Sequence, residues 1–107
     1  MTEAQIRLLN EIVRRLLREG YVLSVSSNRK WATFRSSDQD EITASLGNTM
    51  FEIIVVHEPI GVYVGRIELD YSRAGVPDFI TSCTGPFEYI IVESDRLTST
   101  TPTETTS

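Results

Sequence analysis

Residues 51–71 read Phe51-Glu-Ile-Ile-Val-Val-His57, then Glu58-Pro-Ile-Gly61, then Val62-Tyr-Val-Gly-Arg-Ile-Glu-Leu-Asp-Tyr71. This is the most apolar part of the chain. It is rich in β-branched residues and broken once, at Pro59 and Gly61. Such a pattern predicts two strands and a tight connection. Pairing across a loop at 58–61 sets His57 opposite Val62, Val55 opposite Val64 and Ile54 opposite Gly65. Side chains alternate across a strand. One face then carries Ile54, Val56, Tyr63, Ile67, Leu69 and Tyr71. The other carries Ile53, Val55, Val62 and Val64, and turns polar at Arg66, Glu68 and Asp70. A slip by one residue would bury those three charges, so the faces are strongly specified. Gly65 lacks a side chain where the paired strand presents Ile54. That points to a bulge or a close backbone approach.

Upstream, Thr2-Glu-Ala-Gln5 fits a capping box. Ile6, Leu9, Val13 and Leu16 recur at helical spacing, with Ile12 and Leu17 widening the stripe. Glu3/Arg7 and Glu11/Arg15 form i,i+4 pairs. Arg18 suits the negative end of the helix, and Gly20 suits the position just past it. Tyr21–Ser26 and Trp31–Arg35 read as strands around the turn residues Ser27-Asn-Arg-Lys30. Ser36-Ser37-Asp38 starts a short helix with acids in its first turn, and Gly47 ends it.

Downstream, residues 72–78 form a loop and Phe79–Cys83 a fifth strand. Residues 86–97 admit two readings. Phe87, Ile90, Ile91 and Leu97 match helical spacing behind Pro86, whereas Tyr89–Val92 has strand propensity. We read the segment as a helix. From Thr98 the chain is Thr/Ser-rich without an apolar anchor, and a disordered tail over 98–107 is expected. The whole is an α+β domain over residues 1–97. Its N-terminal helix lies on a curled antiparallel sheet of about five strands, with a short second helix and a C-terminal helix.

The chain has 107 residues, one cysteine and a net charge of −5. A single Cys83 leaves no internal disulfide and fits a reducing, cytoplasmic setting. No apolar run approaches a membrane span of about 20 residues. The charge is uneven. Residues 1–35 hold seven Arg/Lys against three Glu, and residues 36–107 hold three Arg against twelve Asp/Glu.

Arg35-Ser-Ser-Asp38, the two-turn helix, the apolar strand and Val64-Gly-Arg-Ile67 together resemble short proteins of phages, prophages and similar bacterial elements. The resemblance runs from about residue 20 to 97. It implies a small accessory role, such as interference with a host machine, and carries over no catalytic residue.

Candidate sites follow from the charge layout. Asp38, Asp40, Glu41, Glu68 and Asp70 offer an acidic surface to a protein partner. Arg14, Arg18, Arg29, Lys30, Trp31 and Arg35 offer cations and one aromatic to nucleic acid. Trp31, however, reads more naturally as a core or helix-covered residue. Ile53, Val55, Val62 and Val64 form an apolar patch that needs a cover. The 86–97 helix is the expected cover, which keeps the chain a monomer, and a second copy is the alternative. His57 is the only histidine, and Cys83 would serve as its nucleophile only if the fifth strand folded back beside it. Asp38, Asp40 and Glu41 lack the glycine and terminal glutamate of a calcium loop. The expectation is a non-enzymatic protein-binding chain without metal or cofactor. A nucleic-acid module is the alternative, and a His57-dependent enzyme the last.

Overall fold

The fold was read from a computed structural model, which describes residues 1–73 and 75–99. Three helices and five strands follow in the order α1 (Glu3–Arg18), β1 (Val22–Ser27), β2 (Lys30–Ser36), α2 (Gln39–Ala44), β3 (Phe51–His57), β4 (Tyr63–Asp70), β5 (Ile80–Thr84) and α3 (Glu88–Ser99). The strands form one open antiparallel sheet in the order β2-β1-β3-β4-β5. The expected α+β class is the observed one. No helix among the described residues is long and apolar enough to cross a membrane.

The capping box forms as read. Thr2 Oγ1 accepts from the Gln5 amide at 3.1 Å, and Gln5 Oε1 accepts from the Thr2 amide at 2.8 Å. Gln5 is itself buried, and its Nε2 donates to the Arg73 carbonyl at 2.8 Å. The cap therefore also ties down the β4–β5 connection. The stripe of α1 consists of Leu8, Leu9, Ile12, Val13 and Leu16. Ile6, expected in that stripe, is 41 % exposed. It yields its place to Gln5, whose amide has partners on both sides.

The β3–β4 hairpin keeps its expected faces but not its expected register. Ile54 pairs with Ile67, Val55 with Arg66 and Val56 with Gly65, two residues away from the predicted alignment. The cause lies at the turn. Glu58 N–H donates to the Val62 carbonyl, Gly61 N–H donates to the Glu58 carbonyl, and a bulge separates Val56 from His57. Val62 thus stays outside the ladder, and Tyr63 faces His57. Tyr63, expected among the buried residues of the apolar face, is exposed.

Gly65 accounts for the path of the chain after β5. A Cβ built there would lie 1.9 Å from the Thr84 carbonyl oxygen and 2.9 Å from Gly85 Cα. Only a glycine lets the end of β5 come this close. Phe87, Ile90 and Ile91 then join Leu8, Leu9, Ile12, Leu23, Val25, Ile54, Val56, Ile67 and Leu69 in one core. α3 therefore packs beside α1, on the face of Ile54 and Val56. The expected cover of Ile53, Val55, Val62 and Val64 by this helix does not occur. α3 also runs to Ser99, two residues into the stretch expected as tail. The rest of that stretch lies outside the described residues.

Candidate functional site

All three helices pack on one side of the sheet, since α1 contacts both α2 and α3. Among the described residues the opposite side is open. Alternation places Val22, Ser24 and Ser26 of β1 on it, with Phe51, Ile53 and Val55 of β3 and Val64, Arg66 and Glu68 of β4. Ile53, Val55 and Val64 are half-buried, and Val64 also packs against the core. Around them stand three large exposed aromatics. Trp31 is 53 %, Phe34 55 % and Phe51 64 % exposed.

The β1–β2 hairpin carries cations at both ends of this face, Arg29 and Lys30 at its turn and Arg35 at its open end. Its two loop residues, Asn28 and Arg29, both take positive φ, at 53° and 65°. That is the geometry of the turn that matches strand twist. Lys30 resumes the ladder opposite Ser27, and Trp31 lies opposite Ser26. The ladder then breaks twice on β2. At the second break Arg35 adopts φ 50°, and its amide donates to Ser24 Oγ at 2.8 Å. Its guanidinium lies 5.1 Å from the Phe34 ring centroid and reaches toward Gly61 of the β3–β4 loop. Trp31 and Phe34 meet at 5.3 Å with their planes tilted by 58°. Beyond the turn, an open groove of about 560 Å³ is walled by Arg29, Met50, Phe51 and Ile53.

Trp31 is therefore a surface residue, not the covered one expected. The bulge explains why. It turns Thr33 inward, where its hydroxyl bonds to Ser45 of the segment after α2, and leaves Trp31 and Phe34 outside. Phe34 and Phe51 went unread as site residues. Phe51 was signalled by its shared phase with Ile53 and Val55, whereas Phe34 joins Trp31 only through the break in β2, which alternation does not show.

The other sequence candidates scatter. Arg14 and Arg18 lie on α1, on the helix side, and Arg14 is engaged by Glu11 at 2.6 Å. Of the basic set, Arg29, Lys30, Trp31 and Arg35 share the β1–β2 hairpin, with Arg35 at the end of β2 away from the turn. Asp38, Asp40 and Glu41 sit at the start of α2 on the helix side, where Asp38 Oδ1 accepts from the Asp40 and Glu41 amides. Glu68 lies on the open face, bonded to Arg66 at 3.0 Å. Asp70 ends the same strand and accepts from Ser72. The five acids thus do not form one patch. No group of three or more metal-ligating side chains gathers among the described residues.

His57 is 9 % exposed at the end of β3, and neither ring nitrogen has a hydrogen-bond partner among the described residues. Its ring meets Tyr63 edge-on at 6.3 Å. Cys83 pairs with Ile67, two strands away and on the helix side. Burial, and then the charge of Glu88, push its thiol above the ordinary range, which disfavours the thiolate. The structure does not bring His57 and Cys83 together.

Glu52 was not singled out in the sequence, yet it organises one end of the sheet. Its carboxylate is 1 % exposed and accepts five hydrogen bonds. The donors are the amides of Gly47, Asn48 and Thr49, the Ser27 hydroxyl and the Tyr71 phenol. Burial and the bond to Glu52 push the Tyr71 phenol well above the ordinary range. Its position in phase with Ile54 and Val56 was the available signal.

Comparison of the chain with protein-family models, curated proteins and solved structures finds no match.

Proposed function

We propose that this chain is a small non-enzymatic accessory protein that binds a protein partner through the open face of its sheet. One observation carries the reading. Three exposed aromatics, Trp31, Phe34 and Phe51, ring a half-buried aliphatic strip of Ile53, Val55 and Val64, and none of the described helices lies over the aromatics. Exposed apolar surface of this extent marks a binding site. Tryptophan and arginine around an aliphatic centre are the composition of interface anchors. The role implied by the phage-type resemblance, interference with a host machine, belongs to the same reading.

Capture from a lysate of the source cell tests it. The wild type and an Arg7→Ser variant on α1 should retain the same protein. A Trp31→Ser/Phe51→Ser variant should lose it while keeping its melting temperature. Retention by that double variant would sink the reading.

A nucleic-acid interface is the second reading, favoured by the exposure of Trp31 beside Arg29, Lys30 and Arg35. It requires an affinity that falls steeply with salt, because bound cations release counterions.

A further inference from the structure

We infer that the open face takes an acidic protein segment and that the β1–β2 hairpin selects it. The inference rests on the protein-binding reading above and names the chemistry of its partner.

The first ground is which cations are free. Arg14, Arg15, Arg66, Arg73 and Arg96 each have a carboxylate within 4 Å. Five cations have none among the described residues: Arg7 and Arg18 lie apart on α1, and Arg29, Lys30 and Arg35 all lie in one hairpin, on the side of the exposed aromatics. The second ground is their setting. Arg35 leans on Phe34 and ends near the β3–β4 loop, beside the aliphatic strip. A carboxylate that docks there displaces water from a partly apolar surface, where a charge pair gains more than in bulk solvent. Arginine holds a carboxylate through two parallel hydrogen bonds, which adds direction to the attraction. The third ground is the rest of the surface. α2 and α3 each carry more acids than cations and disfavour an acidic segment over their part of the helix side, whereas α1, with four arginines against two glutamates, does not.

The same geometry favours a peptide over single-stranded nucleic acid. Successive bases need open ring faces along a cationic track. Here Trp31 and Phe34 lean against each other at 58°, and Arg35 occupies a Phe34 face. Past them lie Ile53, Val55 and Val64, which suit aliphatic side chains and offer a phosphate nothing. Glu68 and Asp70 stand at the far side.

The test uses three fluorescent probes. They are a soluble peptide alternating Glu with Leu or Phe, the same peptide with Gln for Glu, and oligothymidine. Anisotropy measures affinity, and amide chemical shifts map the face. The Glu peptide should bind about tenfold tighter than the Gln peptide, with shifts on β1, β2 and β3. Arg29→Glu/Arg35→Glu should erase that preference, and Arg35→Gln should reduce it, both with an unchanged amide spectrum elsewhere. Equal affinity for the two peptides on the open face would overturn acidic selection and leave the protein-binding reading standing. Absence of binding, or shifts confined to the helix side, would overturn the inference. Tight, salt-sensitive binding of oligothymidine on the same face would overturn both in favour of nucleic acid.

Discussion

Glu52 shows how a charged side chain becomes a core residue. Five donors converge on its carboxylate, three of them consecutive backbone amides. The three amides would otherwise lack a partner in a crowded corner, while the Ser27 hydroxyl also meets Thr49 Oγ1 at 3.0 Å. Glu52→Ala should therefore cost about 3 kcal/mol or more, read from urea unfolding, because several donors lose their acceptor at once. A loss under about 1 kcal/mol would mean that water replaces the carboxylate freely. Tyr71 adds a pH signature. Its phenol keeps its proton in the fold beyond the ordinary tyrosine value of about 10. The unfolded chain releases that proton first and so binds fewer protons than the native one. The contribution is complete below about pH 10 and is lost as pH rises above it. Tyr71→Phe should flatten that alkaline fall in urea midpoint. An unaltered slope would assign the fall to other groups.

The elements show what a period-two pattern can and cannot specify. Alternation along β3 and β4 assigned Ile54, Val56, Ile67 and Leu69 to the core correctly, because parity decides the face. It was blind to a shift of two residues, which preserves parity. The bulge before His57 and the placement of Val62 outside the ladder produced that shift, and both depend on the turn's hydrogen bonds. The amphipathic 86–97 segment was legible as a helix, but its docking side was not. Gly65 was the clue to that side, since its missing side chain admits Thr84 and Gly85 across the helix-facing surface. Trp31 was misjudged because its exposure depends on two breaks in β2 that leave no mark in hydropathy. Gly65→Ala should be among the most damaging single changes. A Cβ 1.9 Å from a carbonyl oxygen forces β5 off its partner. We expect a loss of about 3 kcal/mol or more, or failure to fold, by thermal melting. A melting temperature near wild type would show that β5 and α3 dock independently of this approach.

The molecule as a whole is two-sided, with helices and most carboxylates behind and aromatics with free cations in front. Trp31, the only tryptophan, stands on the front and reports on it alone. Its emission should be solvent-like and readily quenched by acrylamide in the free chain, then blue-shifted and protected in a complex at the open face. A blue, unquenched emission from a dilute sample would place a second copy over the face, which light scattering would confirm. The strand order holds a further consequence, for the route by which the molecule forms. β1 with β2, β3 with β4 and β4 with β5 are neighbours in sequence as well as in space. Each closes a short loop, a local event with a small entropic cost. Only the β1–β3 ladder, from Val22↔His57 to Ser27↔Glu52, joins strands that the chain separates. The sheet is thus two locally assembled sections sewn along one seam. Substitutions on the strands away from the seam, β2, β4 and β5, should chiefly hasten unfolding, and those at Ser24, Val25, Ile54 and Val55 should slow the seam's closure and with it folding itself.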